Sequence, residues 1–270
     1  MTEYNDRYCA FADILGFARL VQELPKDGPK FELLKHLLHR FHTPQPFAID
    51  VDETDFKAQS ISDAVAVSSK VSGPGLLAIF DALERLSLDL LCQGYLVRGA
   101  LVKGPLYHDD HMAFGQALVR AYHMENEIAR FPRIVVAREV REDMIAYSGQ
   151  SAKEKRFPSI ERLRQSDDGP MYIDVLKPVV ALAKKSDSLY STLSAEEKRK
   201  VDSYANIGHA LRARIEESMD TPRHFEKVQW MGRYWNEVVP PNIPKFPKLR
   251  GSGLDHAIFS HGLAPAQKKP

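Results

Sequence analysis

The chain has 270 residues, 44% of them hydrophobic, and a formal net charge of +1 from 37 basic and 36 acidic residues. This composition excludes a chain that is disordered throughout, and the balanced charge argues against a surface that binds nucleic acid. Two cysteines are too few for a disulfide scaffold, and no apolar stretch approaches the roughly 20 residues that span a bilayer. We therefore expect a cytoplasmic protein with no membrane span and no nucleic-acid partner.

Apolar periodicity predicts the first elements in chain order. Residues 8–14 (YCAFADI) form a short apolar run that predicts a buried strand leading into a turn. Residues 31–41 repeat large apolar side chains at helical spacing and predict a helix. Residues 57–69 are rich in small and β-branched side chains, with a polar break at Ser62 and Asp63. This segment predicts a β-hairpin whose turn contains the aspartate.

The next four elements alternate between helix and strand. Residues 76–92 repeat apolar side chains every three or four positions and predict a helix that stops at Gly94. Residues 95–102 (YLVRGALV) predict a strand, residues 115–129 a third helix and residues 133–137 (RIVVA) a further strand. The order β-α-β-β-α-β is that of a ferredoxin-like or palm-type unit, an α+β fold built on an antiparallel sheet.

We expect this unit to occupy residues 1–145 as a catalytic domain, followed by a helical C-terminal extension over residues 146–270 that ends in a flexible tail. Ser194 begins a capping box (SAEE), which predicts a helix running to about Met219. Pro222 begins another predicted helix.

Asp13 and Asp63 are the candidate chemical centre. In a ferredoxin-like sheet the first and third strands are neighbours, so the end of the first strand and the hairpin turn lie together. Two carboxylates held this close repel each other unless cations lie between them. Paired Mg²⁺ or Mn²⁺ ions, about 3.5–4 Å apart, stabilise the attacking and leaving oxygens of a displacement at phosphorus. Gly16 would let backbone amides approach phosphate oxygens.

Four segments resemble the motifs of class III nucleotidyl cyclases, in the same order along the chain. Residues 11–17 (FADILGF) resemble the family's first metal-binding strand, and residues 60–65 (SISDAV) resemble its second metal-aspartate hairpin. Residues 98–104 (RGALVKG) are similar to its R-x-G-x-x-x-G strand, and residues 115–125 (GQALVRAYHME) to the helix that follows.

The resemblance implies an enzyme in which the 3′-hydroxyl of a nucleoside triphosphate attacks the α-phosphate, giving a 3′,5′-cyclic nucleotide and pyrophosphate. It also implies a homodimer with both active sites at the interface. Asp13 and Asp63 would hold two Mg²⁺ or Mn²⁺ ions, with help from the Ile14 carbonyl. The other substrate-binding residues that the first motif implies are Phe11, Leu15, Gly16 and Phe17.

Departures from the family pattern indicate a different base. Adenylate cyclases read adenine with a Lys and an Asp at the positions that hold Gln59 and Met112 in this chain. Their Asn and Arg, which stabilise the transition state, fall on Val119 and His123. With its helical extension, the sequence most resembles the pyrimidine cyclases of the Pycsar anti-phage systems, which make cyclic UMP or cyclic CMP as an alarm signal. UTP is the favoured substrate over CTP.

Charge that develops on the α-phosphate needs a donor in place of the missing Asn and Arg. Four side chains are candidates, and Arg98 is favoured because it lies on a motif strand. A structural ion pair is the alternative role for Arg98. The four candidates are Arg98, Lys103, Arg120 and His123.

Two other functions remain open. A degenerate cyclase domain would bind a nucleotide or a partner without chemistry, since Val119 and His123 replace the family's donors. Asp50 and Asp52 match the D-x-D-x-T signature of a phosphatase family, although no long apolar strand precedes them. This segment is interpreted mainly as a solvated loop, from which Asp50 would lie close to a bound nucleotide.

Overall fold

A computed structural model describes residues 4–42, 54–148, 157–240 and 243–249. The segment with Asp50 and Asp52 lies outside the described residues, as do most of the predicted tail and residues 149–156. No helix in the described part of the chain is long and apolar enough to cross a membrane.

The first four strands form the ferredoxin-like unit that the sequence predicts. They are β1 (Asn5–Leu15), β2 (Lys57–Ile61), β3 (Ala64–Lys70) and β4 (Leu96–His108). Their order in the sheet is β2-β3-β1-β4, and every pair in this part is antiparallel. Strands β1 and β3 are therefore neighbours at the centre, which confirms the predicted fold class.

Among the described residues, five α-helices lie within the first 148 positions of the chain. They are α1 (Phe17–Glu23), α2 (Gly28–His42), α3 (Gly73–Leu91), α4 (Gln116–Glu127) and α5 (Arg138–Ser148). Helix α3 is the most buried of the predicted ones, because its apolar residues recur along the face that meets the sheet.

Two of these helices flank strand β1. The ring of Phe11 on β1 meets Tyr122 of α4 edge-on, with the ring centroids 5.5 Å apart. Successive side chains of a strand point to opposite faces of the sheet, so Tyr8, three residues before Phe11, lies on the other face. On the opposite face the hydroxyl of Tyr8 donates a hydrogen bond to Asp143 of α5 at 2.7 Å. Because both faces are covered, Tyr8 to Ala10 and Ala12 are buried and Phe11 is partly buried, and this part of β1 is a continuous apolar run in the sequence.

The sheet extends beyond the antiparallel unit and is mixed as a whole. Strand β5 (Ala113–Phe114) pairs with the end of β4, and β6 (Ile134–Val136) lies parallel to β4. Strands β7 (Leu163–Gln165) and β8 (Met171–Ile173) then continue the order as β4-β6-β8-β7. The last two strands come from the predicted extension, and the boundary at residue 145 stays a prediction.

In the C-terminal part, the structure describes three α-helices: α6 (Lys177–Leu189), α7 (Ala195–Ser218) and α8 (Pro222–Val238). The capping box at Ser194 is present: its side chain accepts from the backbone N–H of Glu197, and the Glu197 carboxylate accepts from the backbone N–H of Ser194.

Arg133 joins the C-terminal part to the sheet. Its guanidinium is fully buried, pairs with Asp168, and lies over the rings of Phe131, Tyr172 and Trp230. The aromatic residues of α8 are therefore packing residues.

Candidate active site

Two carboxylates lie side by side where β1 meets the β2–β3 turn. Asp13 on β1 stands opposite Ala64 of β3 and Arg98 of β4 in the two ladders. Asp63 is the second residue of the turn, and its carbonyl accepts a hydrogen bond from the backbone N–H of Ile14 at 2.9 Å. This bond ties the turn to the strand beside Asp13. The structure therefore brings the two predicted aspartates together.

The turn that positions Asp63 is tight. Only Ser62 and Asp63 separate the two strands. Ser62 has a φ of 59°, in the left-handed region that non-glycine residues seldom adopt. Two-residue hairpin turns require a positive φ at their first central position to match the twist of the strands. The turn that places Asp63 beside β1 therefore holds Ser62 in a strained conformation.

The electrostatics of Asp13 reflect its acidic neighbour. Its side chain is 21% exposed. Burial raises the pKa of Asp13, the charge of Asp63 raises it further, and the guanidinium of Arg98 lowers it, leaving a net upward shift. The fold therefore favours the protonated form of Asp13 more than water does. A divalent cation between the two carboxylates would remove this penalty.

Arg98 is held between two acidic side chains. Its guanidinium lies 3.7 Å from Oδ2 of Asp13 and forms an ion pair with Glu125 of α4. Glu125 is only 2% exposed. Burial raises the pKa of Glu125, and Arg98 acts in the opposite direction. Arg98 thus compensates a buried carboxylate and orients Asp13 at the same time.

A second cation at this site comes from the C-terminal helix α8. Lys227 is half-buried and interacts electrostatically with Asp13, Glu125 and Arg98. Burial lowers the pKa of Lys227, Arg98 lowers it further, and the carboxylates act in the opposite direction. Lys227 is not among the predicted site residues, because no local pattern in the sequence predicts that α8 lies against the end of β1.

The rest of the 11–17 motif surrounds Asp13. Ile14 and Leu15 are buried, and Gly16 is exposed with a φ of 80°, a left-handed conformation that glycine adopts without strain. Helix α1 begins directly after Gly16, at Phe17. Phe11 lies two residues before Asp13 on the same face of β1 and supports α4.

Comparisons with known proteins find similar solved structures. No protein-family model and no curated protein matches the chain. Among solved structures, the chain is similar to the monomeric guanylyl cyclase domain of the RhoGC fusion protein from the aquatic fungus Blastocladiella emersonii. The identity is 13%, the match covers 63% of this chain and 95% of that one, and the TM-score is 0.37.

Two further structures give similar values. A class III adenylyl cyclase-like ATP-binding protein from Pseudomonas aeruginosa is 11% identical with a TM-score of 0.36, and the match covers 51% of this chain and 34% of that one. The catalytic core of a rhodopsin-guanylyl cyclase with converted specificity, in complex with ATPαS, is 15% identical with a TM-score of 0.37, covering 63% and 95%.

The chain is structurally similar to class III cyclase domains. The fold class rests on the strand order itself, and the chemistry rests on the side chains.

The predicted base-reading residues lie away from the carboxylate pair along the sheet. Gln59 is half-buried on β2, opposite Ala66 of β3. Met112 is 52% exposed in the β4–β5 turn. Val119 and His123 lie one helical turn apart on α4 and line an open cavity of about 580 Å³.

The other candidate donors are engaged with acidic partners of their own. The ammonium of Lys103 lies 2.8 Å from Asp143, and both guanidinium nitrogens of the Arg120 fork bond to Glu139. Nδ1 of His123 lies 3.8 Å from a glutamate one turn along the same helix. Of the four candidates, Arg98 is the one that contacts Asp13.

Proposed function

We propose that the protein is a pyrimidine nucleotidyl cyclase that converts UTP, or less favourably CTP, into the 3′,5′-cyclic monophosphate and pyrophosphate. The observation that carries the proposal is the pairing of Asp13 and Asp63 across the central strands of a ferredoxin-like sheet. Motif residues from the first and fourth strands surround this pair.

The donor set fits two hard divalent cations. The described residues contain no cluster of three or more His, Cys, Asp or Glu side chains that would form a cage for a metal ion. Mg²⁺ is commonly held by one or two carboxylates together with substrate phosphates and water, so a full protein cage is not required. Asp13 and Asp63 would hold the ions, with the Ile14 carbonyl as a further oxygen ligand.

The proposed reaction balances as an internal displacement. The ribose 3′-oxygen bonds to the α-phosphorus, the bond from the α-phosphorus to the oxygen that bridges it to the β-phosphorus breaks, and pyrophosphate leaves while the hydroxyl proton passes to solvent. Bound cations would stabilise the attacking and leaving oxygens. Arg98 keeps Asp13 oriented through its ion pair. Gly16 leaves space beside the strand end, where Leu15 and Phe17 would flank the nucleotide.

Arg98 is also the proposed donor to the α-phosphate. Its side chain is 15% exposed and lies beside Asp13. A guanidinium that already faces one metal-binding carboxylate is close to where charge develops in the transition state.

A pyrimidine substrate follows from the residues at the base-reading positions. Gln59 is polar and uncharged, so its amide both donates and accepts hydrogen bonds, as a uracil or cytosine edge requires. Met112 offers an apolar contact instead of a carboxylate. Phe11 and, from outside the described residues, Asp50 complete the proposed substrate contacts.

A homodimer is the proposed assembly. Large apolar side chains are exposed on α4, on β5 and in the β4–β5 turn, where a monomer would leave them in water. They are Met112, Phe114, Val119 and Tyr122. By the resemblance to Pycsar cyclases, the cyclic product would act as an alarm signal against phage in the cytoplasm.

One assay tests the proposed function. Purified protein is incubated with each of the four ribonucleoside triphosphates and Mn²⁺, and pyrophosphate and cyclic nucleotide are measured. UTP or CTP should give both products in equal amounts. Pyrophosphate release from none of the four would refute a cyclase, and product from ATP or GTP alone would refute the base assignment.

A catalytically inactive nucleotide-binding domain is the second candidate. It is favoured by one observation: Arg98, the donor nearest the carboxylates, is engaged by Glu125 as well as Asp13. Tight triphosphate binding without any product would support this reading over the cyclase.

A further inference from the structure

Helix α8 presents one continuous face to the catalytic unit. His224, Lys227, Val228 and Met231 follow the spacing of three, four and seven residues that places side chains on one side of a helix. Val228 is fully buried and Met231 is 3% exposed, so this is the face that packs inward. Lys227 therefore lies on the same inward face as the buried Val228 and Met231.

The beginning of this face lies close to Gly16, three residues after Asp13. A Cβ atom added to Gly16 would lie 3.9 Å from Cε1 of His224. Leu15, Gly16, His224 and Val228 line a common cavity of about 230 Å³. The beginning of α8 therefore lies beside the Leu15–Gly16 turn, across a cavity from the point where the 11–17 motif would receive phosphate oxygens.

Lys227 stands in an acidic surrounding. The charged groups that face it are the carboxylates of Asp13 and Glu125 and the guanidinium of Arg98, with Glu226 adjacent on its own helix. Among the residues that the structure describes, Lys227 forms no salt bridge, whereas Arg98 pairs with both carboxylates. The ammonium of Lys227 is therefore a cation near the carboxylate pair whose hydrogen-bonding capacity no described ion pair takes up.

The chain also lacks cations where the family's pattern would place them. Val119 stands where the resemblance implies an Asn, and His123 stands where it implies an Arg. A triphosphate carries several negative charges into a site that already holds Asp13 and Asp63. Additional positive charge from elsewhere in the chain is needed to offset them.

We propose that Lys227 is a substrate-binding residue whose ammonium donates hydrogen bonds to phosphate oxygens of the triphosphate held beside Asp13 and Asp63. The C-terminal helix α8 would then complete the phosphate side of the site within the same protomer. This inference rests on the proposed function for the identity of the ligand. In this role Lys227 only binds and takes no part in bond making or breaking.

A structural role for Lys227 would have different consequences. If it only compensated the buried Glu125, removing it would lower stability and leave phosphate binding unchanged. A phosphate contact predicts opposite effects on two ligands. Without the ammonium, triphosphate should bind more weakly, while Mn²⁺ alone should bind at least as tightly, because a cation that repels it has been removed.

The test compares Lys227→Met and Lys227→Arg with a matched control, Arg223→Met, which removes one positive charge from an exposed position on the same helix. Binding of 3′-deoxy-UTP, which lacks the attacking hydroxyl, is measured by calorimetry with Mn²⁺. Lys227→Met should weaken binding about 10- to 100-fold, the range for a lost hydrogen bond to a charged group. Lys227→Arg should recover most of it, and the control should bind like the wild type.

Two outcomes would overturn the inference. One is wild-type affinity in Lys227→Met together with a lowered melting temperature. The other is an equal loss in Arg223→Met, which would mean that only the overall field of the helix matters.

Manganese tripolyphosphate, which has no base or sugar, separates this inference from the proposed function. If the protein cyclises no triphosphate and yet binds this probe more tightly than Lys227→Met does, that result refutes the proposed function and supports the inference. If the protein instead cyclises UTP, and the wild type and Lys227→Met bind the triphosphate equally well, the proposed function stands and the inference fails.

Discussion

Substituting Arg98 with methionine should destabilise the protein strongly, because two carboxylates depend on it. At 3.7 Å and an effective dielectric constant of about 20, the attraction between Arg98 and Asp13 is about 4.5 kcal/mol before desolvation is counted. Glu125, 2% exposed, loses its ion-pair partner as well. Breaking a buried pair from one side costs about 3–5 kcal/mol. Lys227 remains nearby, so we expect the lower end of this range, about 3 kcal/mol.

Urea unfolding in metal-free buffer measures this cost, and a double-mutant cycle assigns it. In the Glu125→Gln background the glutamate charge is already absent, so Arg98→Met should cost less than half as much. A loss below about 1 kcal/mol in the single variant would mean that the pair is worth no more than a surface salt bridge. An equal loss in both backgrounds would show that Glu125 is not the group that Arg98 compensates.

Three further predictions concern the frame around the site. Burial lowers the pKa of His108 to about 4, so the fold favours its neutral ring. The melting temperature should therefore fall as the pH drops from about 6.5 toward 4. In His108→Gln the melting temperature should depend less on pH over this range. In Gly99→Ala the new methyl carbon would lie 2.7 Å from the Phe11 carbonyl oxygen. Urea unfolding should show a free energy of unfolding that is lower by about 1–3 kcal/mol. An unchanged unfolding midpoint would mean that β1 and β4 can move apart without cost. Val119→Asp places a charge on the exposed face of α4, and sedimentation should show a monomer where the wild type is a dimer; a variant that stays dimeric would place the interface elsewhere.

The four-stranded unit could be predicted because its patterns are local. Short apolar or β-branched runs identify the strands, and the polar break at Ser62 and Asp63 marks the hairpin turn. The element order then implies which strands are neighbours, and this places Asp13 beside Asp63 before any coordinates are known.

The later strands and the cation from α8 could not be predicted in this way. Strands β7 and β8 have only three residues each, too few for alternation to show. Pairing of β8 with β6 depends on packing of distant segments, as does the approach of Lys227 to Asp13. The fully buried side chain of Arg133, surrounded by rings, is likewise a product of tertiary contact rather than of local sequence.

In the function that we propose, Asp13 and Asp63 together hold the cations that turn a pyrimidine triphosphate into its cyclic monophosphate. The most direct measurement is cyclic UMP formation from UTP and Mn²⁺ by the wild type, Asp13→Asn and Asp63→Asn, with Asp110→Asn on the exposed β4–β5 turn as the control. We expect product from the wild type and the control, and none from either site variant, although all four proteins fold equally well. Undiminished product from Asp13→Asn or Asp63→Asn would contradict it.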